Sequence, residues 1–221
     1  MDKIVLICAT GRSGSTTMQR IINTIPNSNI CGENFGAVNS LLAFYRRLKH
    51  ASDNFIPGRF NPKSYKELVD INFKPSWYNS FNFDEVVNNI KLLITNLFKN
   101  SPSTNVWGFK EIRYDGENIK YMKEFKELFP QTKVIIQIRQ NILAQSKSSW
   151  HKNNKKAIVD LYKQNNNLLN FYNKNKSYCY FSTFEKMFDK NNIKNIFNFI
   201  ECDEHYNEKK VDEILKNNLP D

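Results

Sequence analysis

The 221-residue sequence predicts an α/β fold in which a central parallel sheet is covered by helices on both faces, giving three layers. Three observations predict it. Ile4–Ala9 and Lys133–Ile138 are short, nearly continuous apolar runs, the pattern of strands buried on both faces. Segments of helical periodicity alternate with the strand candidates along the chain. A glycine-bearing turn, Gly11–Gly14, joins the first strand to the first helix.

The elements follow in order. After the strand Ile4–Ala9, Met18, Ile21, Ile22 and Ile25 recur at helical spacing over Ser15–Ile25, and Pro26-Asn27-Ser28-Asn29 stops that helix. Ile30-Cys31 reads as a short strand and Val38–Leu48 as an amphipathic helix. Residues 51–82 hold Pro57, Gly58, Pro62 and Pro75 together with Trp77 and Tyr78, and read as an irregular insertion. Its two aromatic residues suit either stacking on a substrate ring or plugging a surface loop. Phe83–Phe98 is helical, Asn105–Lys110 a strand, and Ile119–Phe129 a helix stopped by Pro130. Lys133–Ile138 is the clearest second core strand. Asn141 is placed to cap a helix running to about Trp150. A long polar helix over Lys155–Tyr172, a strand at Tyr178–Phe181 and a helix capped by Thr183 complete the pattern. With no internal repeat and no linker, one domain over residues 1–221 is expected.

The net charge of +10 points to an anionic ligand, or reflects a composition rich in Lys, Asn, Ile, Phe and Tyr. Cys8, Cys31, Cys179 and Cys202 form no C-x-x-C pair, and His50, His151 and His205 have no metal spacing, so neither a metal site nor a disulfide framework is expected. The apolar run Ile4–Cys8 is too short for a signal peptide or a membrane span, which makes a cytoplasmic protein the expectation. The basic residues are dispersed without a nucleic-acid motif, so nucleic acid is not an expected partner.

The chemistry concentrates at the first turn. A glycine-bearing loop between a strand and a helix presents unpaired helix N–H groups to an anion. Gly11 and Gly14 let the backbone curl; Ser13, Ser15, Thr16 and Thr17 offer hydroxyls; Arg12 adds a planar fork of donors suited to phosphate or sulfate. The loop is not the G-x-x-x-x-G-K-[ST] motif of nucleoside triphosphatases: Ala9 stands at the first glycine and Ser15 at the lysine. The strand Val134–Ile138 ends in Arg139, where those enzymes carry an acid for magnesium. Two cationic strand tips want two anionic groups and no metal.

This combination resembles the sulfotransferases that use 3′-phosphoadenosine 5′-phosphosulfate (PAPS). Thr10-Gly11-Arg12-Ser13-Gly14-Ser15-Thr16-Thr17 matches their 5′-phosphosulfate loop, with Arg12 where many members carry Lys. Arg139 and Ser148 match their 3′-phosphate motif of a strand-end Arg and a Ser on the next helix, with Ser146 and Ser149 as alternatives. Trp107–Tyr114 is similar to their central strand, which carries a Lys near the transferred group, here Lys110. Phe181–Phe188 resembles a late Tyr-Glu-Asp-Leu-type segment. Ile30-Cys31-Gly32-Glu33-Asn34 resembles the segment that holds the proposed base, here Glu33, in carbohydrate and protein-tyrosine members.

The resemblance implies a P-loop-like sulfotransferase fold, and metal-independent transfer from PAPS to a hydroxyl of a glycan or a tyrosine. It implies catalytic roles for Glu33, Lys110 and Arg12. Arg113, Trp77 and Tyr78 are candidate acceptor contacts, and partial burial is expected to raise the pKa of Glu33 toward that of a useful base. Two rival readings remain open at this point: a nucleotide or nucleoside kinase with a degenerate phosphate loop, and a non-catalytic anion-binding module. The second gains if Glu33 and Lys110 point away from Arg12.

Overall fold

A computed structural model describes residues 2–55, 81–148 and 156–217. Five parallel strands form one sheet: β1 (Lys3–Ala9), β2 (Ser28–Cys31), β3 (Val106–Glu111), β4 (Lys133–Ile138) and β5 (Cys179–Thr183), in the order β2-β3-β1-β4-β5. The described helices are α1 (Ser15–Ile22), α2 (Ala37–Phe55), α3 (Phe83–Phe98), α4 (Lys120–Leu128), α5 (Ile142–Ser146), α6 (Ala157–Lys174), α7 (Lys190–Phe199) and α8 (Glu208–Lys216). Among the described residues, no helix is long and apolar enough to cross a membrane.

Alternation along β1 assigns the layers. Ile4, Leu6 and Cys8 pack on one face against Val38 and Leu42 of α2, Ile94 of α3, Phe125 of α4 and Leu168 of α6. Val5 and Ile7 pack on the other, against Met18 and Ile21 of α1, Ile196 and Phe197 of α7, and Val211 of α8. All of these β1 residues are fully buried, which is why the strand reads as an unbroken apolar run.

Gly108 on β3 faces Val5 on β1, and a Cβ at Gly108 would lie 1.9 Å from the Val5 carbonyl oxygen. The two strands therefore pair only with glycine at that register position. On the β2 side, Asn23 accepts the Ile30 N–H at 2.8 Å and donates to the Ile30 carbonyl at 2.9 Å, acting as a one-residue strand partner. Gln19 on α1 donates to the same carbonyl at 2.8 Å. These amides fix the edge strand that leads into Glu33.

Several boundaries differ from expectation. α1 ends at Ile22, because Thr24 turns its hydroxyl onto the Ile21 carbonyl at 2.7 Å and Ile25 closes a tighter turn. α2 continues to Phe55, so the first residues of the expected insertion are helical; residues 56–80, including Trp77 and Tyr78, lie outside the described structure. α5 stops at Ser146 rather than near Trp150. Ser146 bonds back to the Leu143 carbonyl at 3.0 Å, the competition with the helix ladder that serine-rich segments offer. Thr183 accepts the Lys186 N–H at 3.3 Å and so caps a short 3₁₀ turn, Glu185–Phe188, with α7 following it.

Gly108→Ala is expected to lower stability by at least about 2 kcal/mol, since backbone rather than a flexible side chain must give way. Urea denaturation measures it; an unshifted midpoint would mean that β1 and β3 are further apart than described.

Candidate functional site

Ligands of open α/β sheets bind beyond the carboxyl ends of the strands, where the strand order reverses. Here that point is the tip of β1, between β3 and β4. A cleft of about 680 Å³ opens there, lined by residues of the Gly11–Thr17 turn, by Glu33 and Lys110, and by Arg139. Sequence-predicted groups more than a hundred residues apart thus share one cavity.

The turn is built by backbone constraint. Arg12 and Gly14 both adopt positive φ, 64° and 80°. Gly14 caps α1 without any side-chain hydrogen bond, so the first-turn residues Ser15, Thr16 and Thr17 line the cleft with their helix end open to an anion. A Cβ at Gly14 would also meet the side chains of Met187 at 2.6 Å and Phe184 at 2.8 Å, so a larger residue would have to displace them as well as bear the strain of a positive φ.

Buried amides hold the turn from beneath. Gln137 of β4 donates to the Ser13 carbonyl at 3.0 Å. Gln145 of α5 donates to the Gly11 carbonyl at 2.6 Å and to the Thr10 hydroxyl at 3.0 Å, and that hydroxyl donates to Asn165 of α6 at 3.0 Å. Asn165 in turn donates to the Arg139 carbonyl at 3.1 Å, tying the two strand tips together. Ser13 differs from expectation. Its hydroxyl is fully buried and bonds the carbonyls of Thr10 at 2.7 Å and Gln137 at 3.1 Å, which leaves only its backbone for a ligand.

Glu185 fixes the second tip, its carboxylate accepting the N–H groups of Gln140 and Asn141 at 3.0–3.1 Å. Burial pushes the Glu185 pKa up, but these donors outweigh it and hold the group below its ordinary range. The Arg139 guanidinium lies 4.4 Å from the centre of the Phe184 ring, and Phe184 also abuts Gly14. Arg139 Nε and Ser148 Oγ are buried without a hydrogen-bond partner among the described residues. Arg139 lines the cleft, whereas Ser148 is not among its described lining residues, and Ser149 lies outside the described structure. Ile214 and Leu215 of α8, which packs on α1, add an apolar wall.

Glu33 and Lys110 point into the same cleft as Arg12 and pair directly, Lys110 Nζ lying 2.6 Å from Glu33 Oε1. The partner of Lys110 is therefore Glu33 rather than the adjacent Glu111. Arg113 Nη1 reaches Glu33 Oε2 at 3.0 Å and Glu111 Oε1 at 2.6 Å, and Arg113 is not among the described lining residues. Burial does push the Glu33 carboxyl up, as expected, yet Lys110 and Arg113 outweigh it and hold the group below the ordinary glutamate range. In this state Glu33 is a paired carboxylate, not a neutral acid. Arg12, Arg20, Lys110 and Arg139 line the same cleft, so it is strongly cationic.

No family model and no curated protein matches the chain. Among solved structures, the chain is similar to the sulfotransferase domain from the curacin biosynthetic pathway, at 16% sequence identity and a TM-score of 0.55, covering 100% of this chain and 79% of that one. The fold is sulfotransferase-like.

Sequence reasoning missed Gln137, Gln145, Asn165 and Arg20. Gln137 carried a signal, as the one amide in an apolar strand; the others carried none. Glu185 lay within the Phe181–Phe188 segment, without a role.

The depressed pKa of Glu33 has a testable sign. Its charge contributes stability in full above the unfolded glutamate value, about 4.3, and loses it as pH falls through the lower folded value. The stability difference between the parent and Glu33→Gln is therefore expected to be flat from about pH 7 to 5 and to close in more acidic buffer. Urea titrations across pH measure this, and a difference indifferent to pH would remove Glu33 from the ion pair.

Proposed function

We propose that the chain transfers the sulfuryl group of 3′-phosphoadenosine 5′-phosphosulfate to a hydroxyl acceptor. The observation that carries this reading is the sharing of one cationic cleft by the Gly11–Thr17 turn, Arg139, Lys110 and Glu33. A donor anionic at both ends suits two cationic strand tips held a fixed distance apart. The partnerless Nε of Arg139 fits this donor, because a buried guanidinium N–H lacking an acceptor is costly until an anion supplies one.

In this reading the backbone of the Gly11–Gly14 turn, the open end of α1 and the hydroxyls of Ser15, Thr16 and Thr17 hold the 5′ end of the donor. Arg139 holds the 3′-phosphate, with Ser148 as its assigned partner. The donor supplies an activated S–O bond, and the chain's residues do the rest. Glu33 accepts the proton of the acceptor hydroxyl as its oxygen bonds to sulfur. Lys110 and Arg12 stabilise the charge gathering on the oxygen between sulfur and the 5′-phosphate as that bond breaks. The 5′-phosphate departs with 3′-phosphoadenosine as the leaving group. Such preplaced charges usually dominate group transfer of this type.

The acceptor belongs with glycans or protein tyrosines, on the resemblance of Ile30–Asn34 to enzymes acting on them. Trp77 and Tyr78 remain candidate contacts for its ring. Placement of Glu33 and Lys110 beside Arg12 favours an enzyme over an anion-binding module.

Calorimetry with 3′-phosphoadenosine 5′-phosphate tests the donor. The intact protein is expected to bind it, and Arg139→Ala to weaken binding on the order of tenfold to a hundredfold. Glu33→Gln is expected to keep binding and to lose transfer by roughly a hundredfold or more. Absence of binding by the intact protein sinks the reading.

A further inference from the structure

Glu111 is fully buried at the end of β3, yet it sits on the face away from Lys110 and takes no place in the described lining of the cleft. Its three acceptor contacts all go to the segment that carries or holds Glu33. Oε1 takes the Ile112 N–H at 2.9 Å and Arg113 Nη1 at 2.6 Å, and Oε2 takes the Gly36 N–H at 3.3 Å. Residues 33–36 then wrap around Arg113. Glu33 binds its Nη1 and the Phe35 ring centre lies 4.8 Å from its Cζ, while the Gly36 N–H holds the same Glu111 carboxylate that Arg113 holds. Phe35 and Gly36 both take positive φ, 55° and 79°, a costly conformation for a phenylalanine that is 82% exposed.

The two cations on Glu33 therefore differ. Lys110 carries one ammonium on a flexible stem, lines the cleft and has no second carboxylate among the described residues. Arg113 is fixed from three sides by Glu111, Phe35 and the loop. On the reading of Glu33 as the base, an anion entering the cleft competes for Lys110 and leaves Arg113 where it is. We propose that Arg113, anchored by Glu111, is a positioning residue that holds Glu33 through Oε2 while Oε1 exchanges Lys110 for the acceptor hydroxyl. The base is thereby released toward proton transfer only when the donor has drawn Lys110 away, and it keeps its aim throughout. The other charges lining the cleft with Glu33 are Arg12, Arg20 and Arg139, which an anionic donor also screens.

The test needs no acceptor. The full chain is labelled with ¹³C at glutamate carboxyls, and Glu33 is assigned by Glu33→Gln. Its titration is followed with and without 3′-phosphoadenosine 5′-phosphate together with sulfate. Arg113→Gln is expected to raise the Glu33 midpoint by about one pH unit, the scale of a lost adjacent cation, while leaving nucleotide affinity within about threefold. Arg113→Lys, which keeps the charge without the fork, is expected to give a smaller rise and serves if the Gln variant fails to fold. In the parent, ligand is expected to raise the midpoint; in Lys110→Met the midpoint starts high and ligand moves it less. An unmoved Glu33 midpoint in both Arg113 variants overturns the proposal, as does a tenfold loss of nucleotide affinity, which would make Arg113 a donor ligand. If the intact protein binds no nucleotide, the sulfotransferase reading falls, while the ligand-free titrations still decide whether Arg113 controls Glu33.

Discussion

Because β1 lies between β3 and β4, three strand ends arrive side by side, and whatever charges they carry must coexist in one small volume. Cys8 pairs with Glu111 and Ala9 with Gln137, so the tips end nearly level. That register brings Lys110 and Arg139 to the lining of one cleft. Like charges so gathered repel unless something negative intervenes. Within the protein that part falls to Glu33, backed by Glu111, and the cations left over give the cleft a positive potential.

The arrangement survives because the tips are braced by neutral groups. Gln137, Gln145 and Asn165 satisfy carbonyls of the Gly11–Thr17 turn and of Arg139 without adding charge. Carboxylates in those places would cancel the field, and apolar residues would leave buried carbonyls unpaired at a cost of about 1–3 kcal/mol each. Glu185 is the exception, and it spends its charge on backbone N–H groups at the start of α5.

Much of this was legible in the sequence. β4 and α3 fall where periodicity put them, since long apolar runs and clean helical spacing leave little choice. Gly11–Thr17 and Arg139 were recognisable because a turn and a strand end are local features. The short α5 was not, because serine side chains compete with the helix ladder only when geometry allows. The inward turn of Ser13 was hidden for a similar reason: a hydroxyl can face ligand or backbone, and nothing local decides. The state of Glu33 depended on Lys110 and Arg113, some eighty residues away, and a reading from burial alone pointed in the wrong direction.

The apolar wall contributed by Ile214 and Leu215 faces a turn that begins at Gly11. About 200 residues separate these two sides of the cavity, and four of the five strands, β2 to β5, lie between them in the chain. During synthesis the turn emerges before that wall, which follows only after all five strands. The cleft therefore gains its apolar wall only when α8 docks on α1, and until then the sheet face that α1 and α8 share is incompletely covered.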